Sequence, residues 1–147
     1  MLPRLTGELR LGADPVLRFA KGGMAICSFS AVADKSKKDE ATGEWEKDKE
    51  IWIRVTTFKD IAEHVAETFG KGDLIFVEGQ VSTSEWTTKE GVARTTVEVT
   101  ADIVGPSLRY ATAAVTKVQR STPQQQSAPA NDPWSTAAPT GSVEPPF

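Results

Sequence analysis

The segment Glu50–Phe58 constrains the fold of this chain more than any other, because its side chains alternate between two chemistries. In a β-strand, successive side chains lie on opposite faces of the sheet. A purely structural strand would place its aromatic rings on the apolar face, whereas here they stand beside a charge. One face carries core residues (Ile51, Ile53, Val55, Thr57) and the other carries Trp52, Arg54, Thr56 and Phe58.

The patterns around this strand predict an all-β chain with one helix. The charged segment Lys35–Lys49 is predicted to be either an exposed loop or an extended two-stranded arm. A single helix between the third and fourth major strands is the order of a five-stranded OB-fold Greek-key barrel. The predicted strands are Leu5–Leu11, Val16–Ala20, Met24–Ala33, Glu50–Phe58, Leu74–Val81 and Arg94–Val104, with a helix over Lys59–Gly70.

Two elements have apolar patterns that predict which side is buried. In the helix, Ile61, Val65 and Phe69 recur every four residues and form one stripe. In the last strand, the residues predicted to face inward are Val97, Val99, Ala101 and Ile103.

The composition changes near residue 112. Most of the prolines follow residue 120, together with three consecutive glutamines and many small polar residues. Such a segment has too little apolar surface to offset the entropy of ordering it. The sequence therefore predicts a folded domain over 1–111 and a disordered tail over 112–147.

The net charge and the single cysteine bear on how the chain can bind nucleic acid and on its cellular compartment. Seventeen basic and twenty acidic residues give a net charge of −3, so any binding to nucleic acid must use a local basic surface and depend strongly on salt. Cys27 lies in a strand-like run and is predicted to be a small core residue in a reducing compartment. The N-terminus lacks the apolar run of a signal peptide, and a cytoplasmic location is expected.

Catalysis is not indicated. The only histidine, His64, lies beside Glu63 and Glu67 on the predicted helix and is interpreted as a surface residue. No nucleophile and base pair, phosphate loop or metal-ligand spacing is present, and neither a cofactor nor a metal is expected. An OB-fold nuclease, with clustered acids for a metal, is the enzymatic alternative.

The mixed face of the Glu50–Phe58 strand suits unpaired nucleic acid. Flat aromatic rings stack on bases regardless of sequence, and the guanidinium of Arg54 can contact a phosphate. Trp86 is added because a large aromatic next to a hairpin tip is otherwise an aggregation hazard. Its structural alternative is to pin that tip to its own barrel.

Several segments resemble bacterial and phage single-stranded DNA-binding proteins. The resemblance covers residues 5–110 in order and implies an OB-fold that assembles as a homotetramer and wraps single-stranded DNA. An OB-fold module of the primosomal type, whose main partners are replication proteins, is the alternative. The matching segments are G-E-L-R-L-G-A-D-P-V-L-R-F (7–19), A-T-G-E (41–44), W-I-R-V-T-T-F (52–58), K-G-D-L-I-F-V-E-G-Q-V (71–81) and W-T-T-K-E-G (86–91).

The resemblance implies roles for individual residues. It supports Trp52, Phe58 and Trp86 as stacking residues, and Arg54 and Lys71 as phosphate contacts. Other candidate phosphate contacts are Lys59, Lys37, Lys38 and Arg18.

This chain departs from the family pattern in two places within the domain. A basic run, Lys35–Lys38, replaces the aromatic that the family often has before A-T-G-E. Trp45 could substitute for that aromatic or pack against a neighbouring subunit. The stretch between Gly7 and Asp14 is two residues longer than usual, which predicts a bulge or an altered loop.

The end of the chain and the assembly are also interpreted from the resemblance. The terminal residues Glu144, Pro145, Pro146 and Phe147 resemble the family's partner-binding tip, although only one acid precedes the final aromatic. Replication, recombination and repair proteins are the implied partners. A homotetramer is expected, and Ile53 is one candidate for a contact between subunits.

Overall fold

The computed structural model describes residues 1–119, and all of its strands and its helix lie within a compact unit spanning Met1–Ala113. Residues 114–119 form no helix or strand, and the rest of the predicted tail lies outside the described residues. The elements are β1 (Arg4–Leu11), β2 (Val16–Phe19), β3 (Ala25–Lys38), β4 (Trp45–Phe58), α1 (Lys59–Thr68), β5 (Leu74–Thr87) and β6 (Ala93–Pro106).

The strands form one sheet that closes on itself. Their order is β1-β5-β6-β4-β3-β2, and an additional pairing between β1 and β3 completes the barrel. All pairings are antiparallel except that of β4 with β6, which is parallel. With α1 between β4 and β5, this is the OB-fold that the sequence predicts.

The first barrel strand is interrupted, which explains why six strands form a five-stranded barrel. Both β1 and β2 pair with the same edge of β3, through Leu11 opposite Ala31 and Val16 opposite Ser28. On β3, only Phe29 and Ser30 separate these two paired stretches, whereas the connection between β1 and β2 has four residues, 12–15. The extra length predicted near Asp14 is therefore an irregular connection within one strand.

The barrel interior is filled by alternating residues of its strands. Ile53 is 2% exposed and Val55 is completely buried, so the predicted core face of β4 is confirmed for these residues. The suggestion that Ile53 contacts another subunit is wrong, because its side chain is buried in the core of its own barrel. Ile51 is exposed because it lies beyond the barrel, in the projecting part of β4.

Cys27 lies in this core as predicted, and burial raises the pKa of its thiol. The neighbouring Thr57 is also fully buried, and its hydroxyl donates a hydrogen bond of 3.4 Å to the Cys27 carbonyl oxygen. This bond satisfies the one buried polar side chain among the described residues, so Thr57 can occupy a core position.

A β-bulge changes the face of the last strand. The pairing of β5 with β6 shifts between Glu78 and Gly79, so that Asp102 is an extra residue in β6. Alternation therefore reverses after Ala101, and Ile103 is 52% exposed. The prediction that Ile103 faces inward is wrong for this reason, because a bulge exchanges the two faces of the strand that contains it.

The charged segment between β3 and β4 is the two-stranded arm, one of the two predicted alternatives. Both strands extend beyond the barrel, and the turn Asp39–Glu44 connects them. Every residue between Lys35 and Glu50 is exposed except Asp39, which is half-buried. We refer to residues 34–50 as the arm.

The helix packs against β3 and β4 through a narrow apolar side. Ala62 and Val65 are buried, while Ile61 at the edge of the predicted stripe is exposed. The helix ends two residues earlier than predicted, and the Phe69 backbone N–H donates to the Val65 carbonyl oxygen at 3.0 Å.

Candidate nucleic-acid interface

The side of the sheet that faces away from the core is named the platform face. It carries Trp52, Arg54, Thr56 and Phe58 of β4, with their cross-strand partners on β3 and β6. Its central feature is an open groove of about 420 Å³. The residues lining the groove are Ser30, Trp52, Ile53, Arg54, Ser84, Trp86, Thr96 and Glu98.

Two indole rings lie at this groove although they are far apart in the sequence. Trp52 is 52% exposed and Trp86 is 51% exposed, so each retains a large area of ring surface available to a ligand. The parallel pairing of β4 with β6 and the antiparallel pairing of β6 with β5 bring them to one surface. The fold thus creates a pair of aromatic platforms that no local motif contains.

Trp86 is held in place from one edge. Its indole Nε1 donates a hydrogen bond of 2.8 Å to the Thr96 Oγ1, across the β5–β6 pair. The bond uses the polar edge of the ring and leaves the faces of the ring free of that interaction. Trp86 is therefore tied to its own hairpin at one edge, and about half of its side chain remains exposed.

The groove contains one positive and one negative side chain. Arg54 is exposed and forms no ion pair among residues 1–119. Glu98 stands opposite Arg54 in the β4–β6 register, and its Oε1 accepts a 2.9 Å hydrogen bond from the Ser84 hydroxyl. No ion pair joins Glu98 to Arg54, so this carboxylate does not use the donors of the guanidinium.

Phe58 and Arg18 lie together at the other end of the platform face. Arg18 and Phe58 both pair with Ile26, from the two sides of β3, so the three side chains form a row across the sheet. Phe58 is half-buried, and neither Phe58 nor Arg18 lines the groove. At about 3.3 Å per residue, Phe58 lies about 20 Å from Trp52 along the strand.

A second bulge determines which side of the arm Trp45 occupies. The register between β3 and β4 shifts after Lys35, so that Asp48 is an extra residue and Trp45 pairs with Lys38. This shift places Trp45, which is 71% exposed, on the platform face rather than on the face of Ile51. Lys38 shares that face with Trp45.

An ion pair between residues on either side of this bulge agrees with the reversal of faces in the arm. The Lys47 Nζ lies 2.8 Å from the Glu50 Oε2, although residues three apart in a regular strand point to opposite faces. The Lys47 ammonium lowers the pKa of Glu50, and the Trp52 side chain contributes in the same direction. Lys37, which pairs with Glu46, is on the reverse face of the arm.

Two further lysines lie near α1 and outside the groove. Lys59 begins the helix with a φ of 59°, in the left-handed region that β-carbon-bearing residues seldom adopt. Lys71 lies in the loop before β5, where its backbone N–H donates a 2.7 Å hydrogen bond to the Asp14 carboxylate. The structure therefore gathers Trp52, Arg54 and Trp86 at the groove and distributes the other predicted residues around it.

Five groove residues were not among the predicted site residues, namely Ser30, Ile53, Ser84, Thr96 and Glu98. Ser84, Thr96 and Glu98 stand on the platform face because they alternate with inward residues of β5 and β6. The alternation around Val97 and Val99 could have identified Thr96 and Glu98. Ser84 could not be found in this way, because the predicted β5 ended before it.

Within residues 1–119, no three histidine, cysteine, aspartate or glutamate side chains lie close enough together to hold a metal ion. The helix in this part of the chain is too short and too polar to cross a membrane.

Comparison with known proteins identifies the family. Residues 5–107 match the Single-strand binding protein family. A single-stranded DNA-binding protein of Mycolicibacterium smegmatis is 38% identical over 153 aligned residues that cover 93% of both chains. The Mycobacterium leprae protein of the same name is 37% identical over 156 aligned residues, again covering 93% of each chain.

A solved structure supports the fold assignment. The small single-stranded DNA-binding protein from Streptomyces coelicolor superimposes with a TM-score of 0.65, covering 73% of this chain and 95% of that chain, at 19% sequence identity. The chain belongs to the single-strand binding protein family.

Proposed function

We propose that this protein binds single-stranded DNA without sequence specificity and protects it during replication, recombination and repair. The observation that carries the proposal is the open groove lined by Trp52, Trp86 and Arg54, in which Arg54 forms no ion pair among residues 1–119. Indole rings stack on any base, and a guanidinium contacts the phosphate backbone, so this chemistry binds a strand and does not read it. The role is binding without catalysis, in the cytoplasm and in association with DNA.

Titration with poly-dT at two salt concentrations, followed by tryptophan fluorescence, tests this function. Stacking of bases on Trp52 and Trp86 is expected to quench the emission, and the affinity should fall as salt rises because phosphate contacts release counterions. Unchanged emission, together with equally effective competition by duplex DNA, would contradict the proposal.

Trp45 and Phe58 are proposed as further stacking residues on the platform face. Trp45 takes the role of the aromatic that the family often has before A-T-G-E, because the arm bulge places it on the same face as Trp52. From Trp45 to Phe58 the strand spans about 40 Å, which gives an extended strand of DNA a long path. Arg18, Lys59, Lys71 and Lys38 are proposed as phosphate contacts along the path, and Lys37 is left out because it lies on the reverse face of the arm.

The two lysines of the arm provide a matched test of that path. Lys38→Ala is expected to weaken binding to poly-dT and to lower the slope of log affinity against log salt by about 0.7, the value for one phosphate contact on a single strand. Lys37→Ala changes the charge equally, but on the reverse face of the arm. An equal loss for the two variants would show that net charge, rather than the platform face, determines binding.

We also propose a homotetramer, which would link four binding sites and raise their joint affinity for one strand. Family membership supports this proposal. Light scattering at micromolar concentration is expected to give four times the chain mass, and a monomeric mass would overturn the proposal.

The terminal residues Glu144, Pro145, Pro146 and Phe147 are proposed to recruit replication, recombination and repair proteins. These residues lie outside the described part of the chain, and the proposal rests on their chemistry. Phe147 supplies an aromatic ring close to the acidic Glu144, a pair that an apolar pocket with a basic rim can bind. The two prolines restrict the backbone, which lowers the entropy lost on docking.

Deletion of Phe147 separates recruitment from DNA binding. The truncated protein is expected to bind poly-dT with nearly unchanged affinity and to lose a replicative helicase or polymerase partner in a pull-down experiment. Equal recovery of partners by the truncated and full-length proteins would show that the tip is not the docking site.

A further inference from the structure

The connection that interrupts the first barrel strand lies directly against a groove residue. A β-carbon built on Gly12 would stand 2.5 Å from the Trp52 Cζ3 and 3.0 Å from its Cη2. Real β-carbons do not approach a ring so closely, so the indole of Trp52 occupies space that any other residue at position 12 would need. The backbone of Gly12 therefore packs directly against the Trp52 ring.

The need for glycine at this position is steric and does not come from the backbone conformation. The glycines with positive φ are Gly23, Gly43, Gly72 and Gly91, and Gly12 is not among them. An alanine could adopt the backbone angles of Gly12 without strain. The two atoms nearest to its β-carbon would both belong to the Trp52 ring.

The backbone around Gly12 is anchored on both sides. Its N–H donates a 2.8 Å hydrogen bond to the Ser30 carbonyl oxygen. The Leu11 N–H donates to the Asp73 carbonyl oxygen, and the Leu11 carbonyl oxygen accepts from the Gly72 N–H. Two residues after Gly12, the Asp14 carboxylate accepts a hydrogen bond from the Lys71 N–H. Because moving this backbone would break several hydrogen bonds, a new methyl group at position 12 would displace the ring instead.

We propose that Gly12 is a positioning residue that sets the orientation of the Trp52 indole on the platform face. The proposal deepens the proposed function and rests on it, because the orientation matters only if bases stack on Trp52. A half-exposed tryptophan has several rotamers available, and contact with a fixed backbone selects among them. The irregular connection between β1 and β2 is thus in contact with the groove through the Trp52 ring.

Gly12→Ala is expected to weaken poly-dT binding by about 3- to 30-fold, since one stacking interaction is partly lost. Gly7→Ala is the matched control, because it makes the same change in the same barrel strand at a site with no atom within 4 Å of the new methyl group. The near-ultraviolet circular dichroism of the unbound protein should change in Gly12→Ala and stay unchanged in Gly7→Ala. Affinity is measured by the anisotropy of a labelled oligo-dT, which does not depend on tryptophan emission.

Repeating the substitution without the ring shows whether Gly12 acts through Trp52. In a Trp52→Ala background, Gly12→Ala should change affinity by less than about twofold, because a double-mutant cycle removes effects that pass through the deleted group. An equal loss in both backgrounds would overturn the proposal, as would a Gly12→Ala variant that behaves like Gly7→Ala. If Trp52→Ala alone binds like the original protein, the stacking role of Trp52 fails, whatever Gly12 does.

A folding defect in Gly12→Ala would also be informative. The smaller ring of Trp52→Phe lacks the outer atoms of the indole and leaves room for the methyl group. If Gly12→Ala unfolds with Trp52 and folds with Phe at position 52, the collision with the indole is supported. Unfolding in both backgrounds would show that Gly12 serves the barrel rather than the ring, and would overturn the proposal.

Discussion

Replacement of both groove indoles, in the double variant Trp52→Ala and Trp86→Ala, is expected to weaken binding to oligo-dT by between about 30-fold and 10⁴-fold. Each base stacked on an aromatic ring contributes about 1–3 kcal/mol, so the loss of two is about 2–6 kcal/mol. Both side chains are half exposed and neither is part of the barrel core, so the folded state should survive. Anisotropy of a labelled oligonucleotide measures the loss without relying on the removed fluorophores.

Trp134→Ala provides the control for this variant, because it removes an indole from a position far along the chain from the barrel strands. Its affinity should equal that of the original protein. A loss of less than about twofold in the double variant would remove the groove from the proposed DNA path, and the arm and the Phe58 row would then be the remaining candidates.

The largest effect on stability is expected from Gly79→Ala. Gly79 lies at the bulge between β5 and β6, where a β-carbon would stand 2.1 Å from the Thr100 carbonyl oxygen and 2.7 Å from the Ala101 Cα. Both are backbone atoms of a paired strand, so no side chain can rotate away. We expect a loss of about 3 kcal/mol, the upper part of the range for overpacking, and a melting temperature lower by about 10–20 °C.

Gly105→Ala tests whether this effect is specific to the bulge. Gly105 lies in the same strand pair, opposite Phe76, and a β-carbon there would meet no atom within 4 Å. Thermal unfolding of the two variants, followed by far-ultraviolet circular dichroism, should give a large shift for Gly79→Ala and a small one for Gly105→Ala. Similar shifts would mean that loss of a strand glycine, rather than the close approach of two backbones, causes the destabilisation.

The alternation of side chains predicts much of this fold because one face of each strand is buried. Around Val55, the alternation predicts correctly which side chains face the core and which face away from it. The order of the barrel strands follows from the position of the single helix. Alternation fails where a strand contains a bulge. Ile103 has the spacing of a core residue but lies beyond the bulge that reverses its strand, and sequence spacing does not locate that extra residue.

In the candidate site too, the sequence predicts features that lie within one strand and misses contacts between segments that are distant in the sequence. Trp52 and Arg54 could be recognised from one strand, because their spacing alone places them together on a face. The contact of Trp52 with Gly12 could not, since it depends on how an irregular connection crosses a neighbouring strand. Ile53 was misjudged because an apolar residue facing the core and one facing another subunit have the same pattern.

The parallel pairing of β4 with β6 also determines when the groove can exist. Ile53 pairs with Val97 and Val55 with Val99, and these contacts join segments separated by the helix and all of β5. Contacts between segments distant in sequence require closure of a long loop and are the slow ones in folding. Trp52 and Trp86 come to the same groove only through these contacts. A chain still emerging from the ribosome would therefore carry the part of the groove formed by β4 without the part formed by β5 and β6. We therefore expect affinity for a single strand to appear only once β4 has paired with β6.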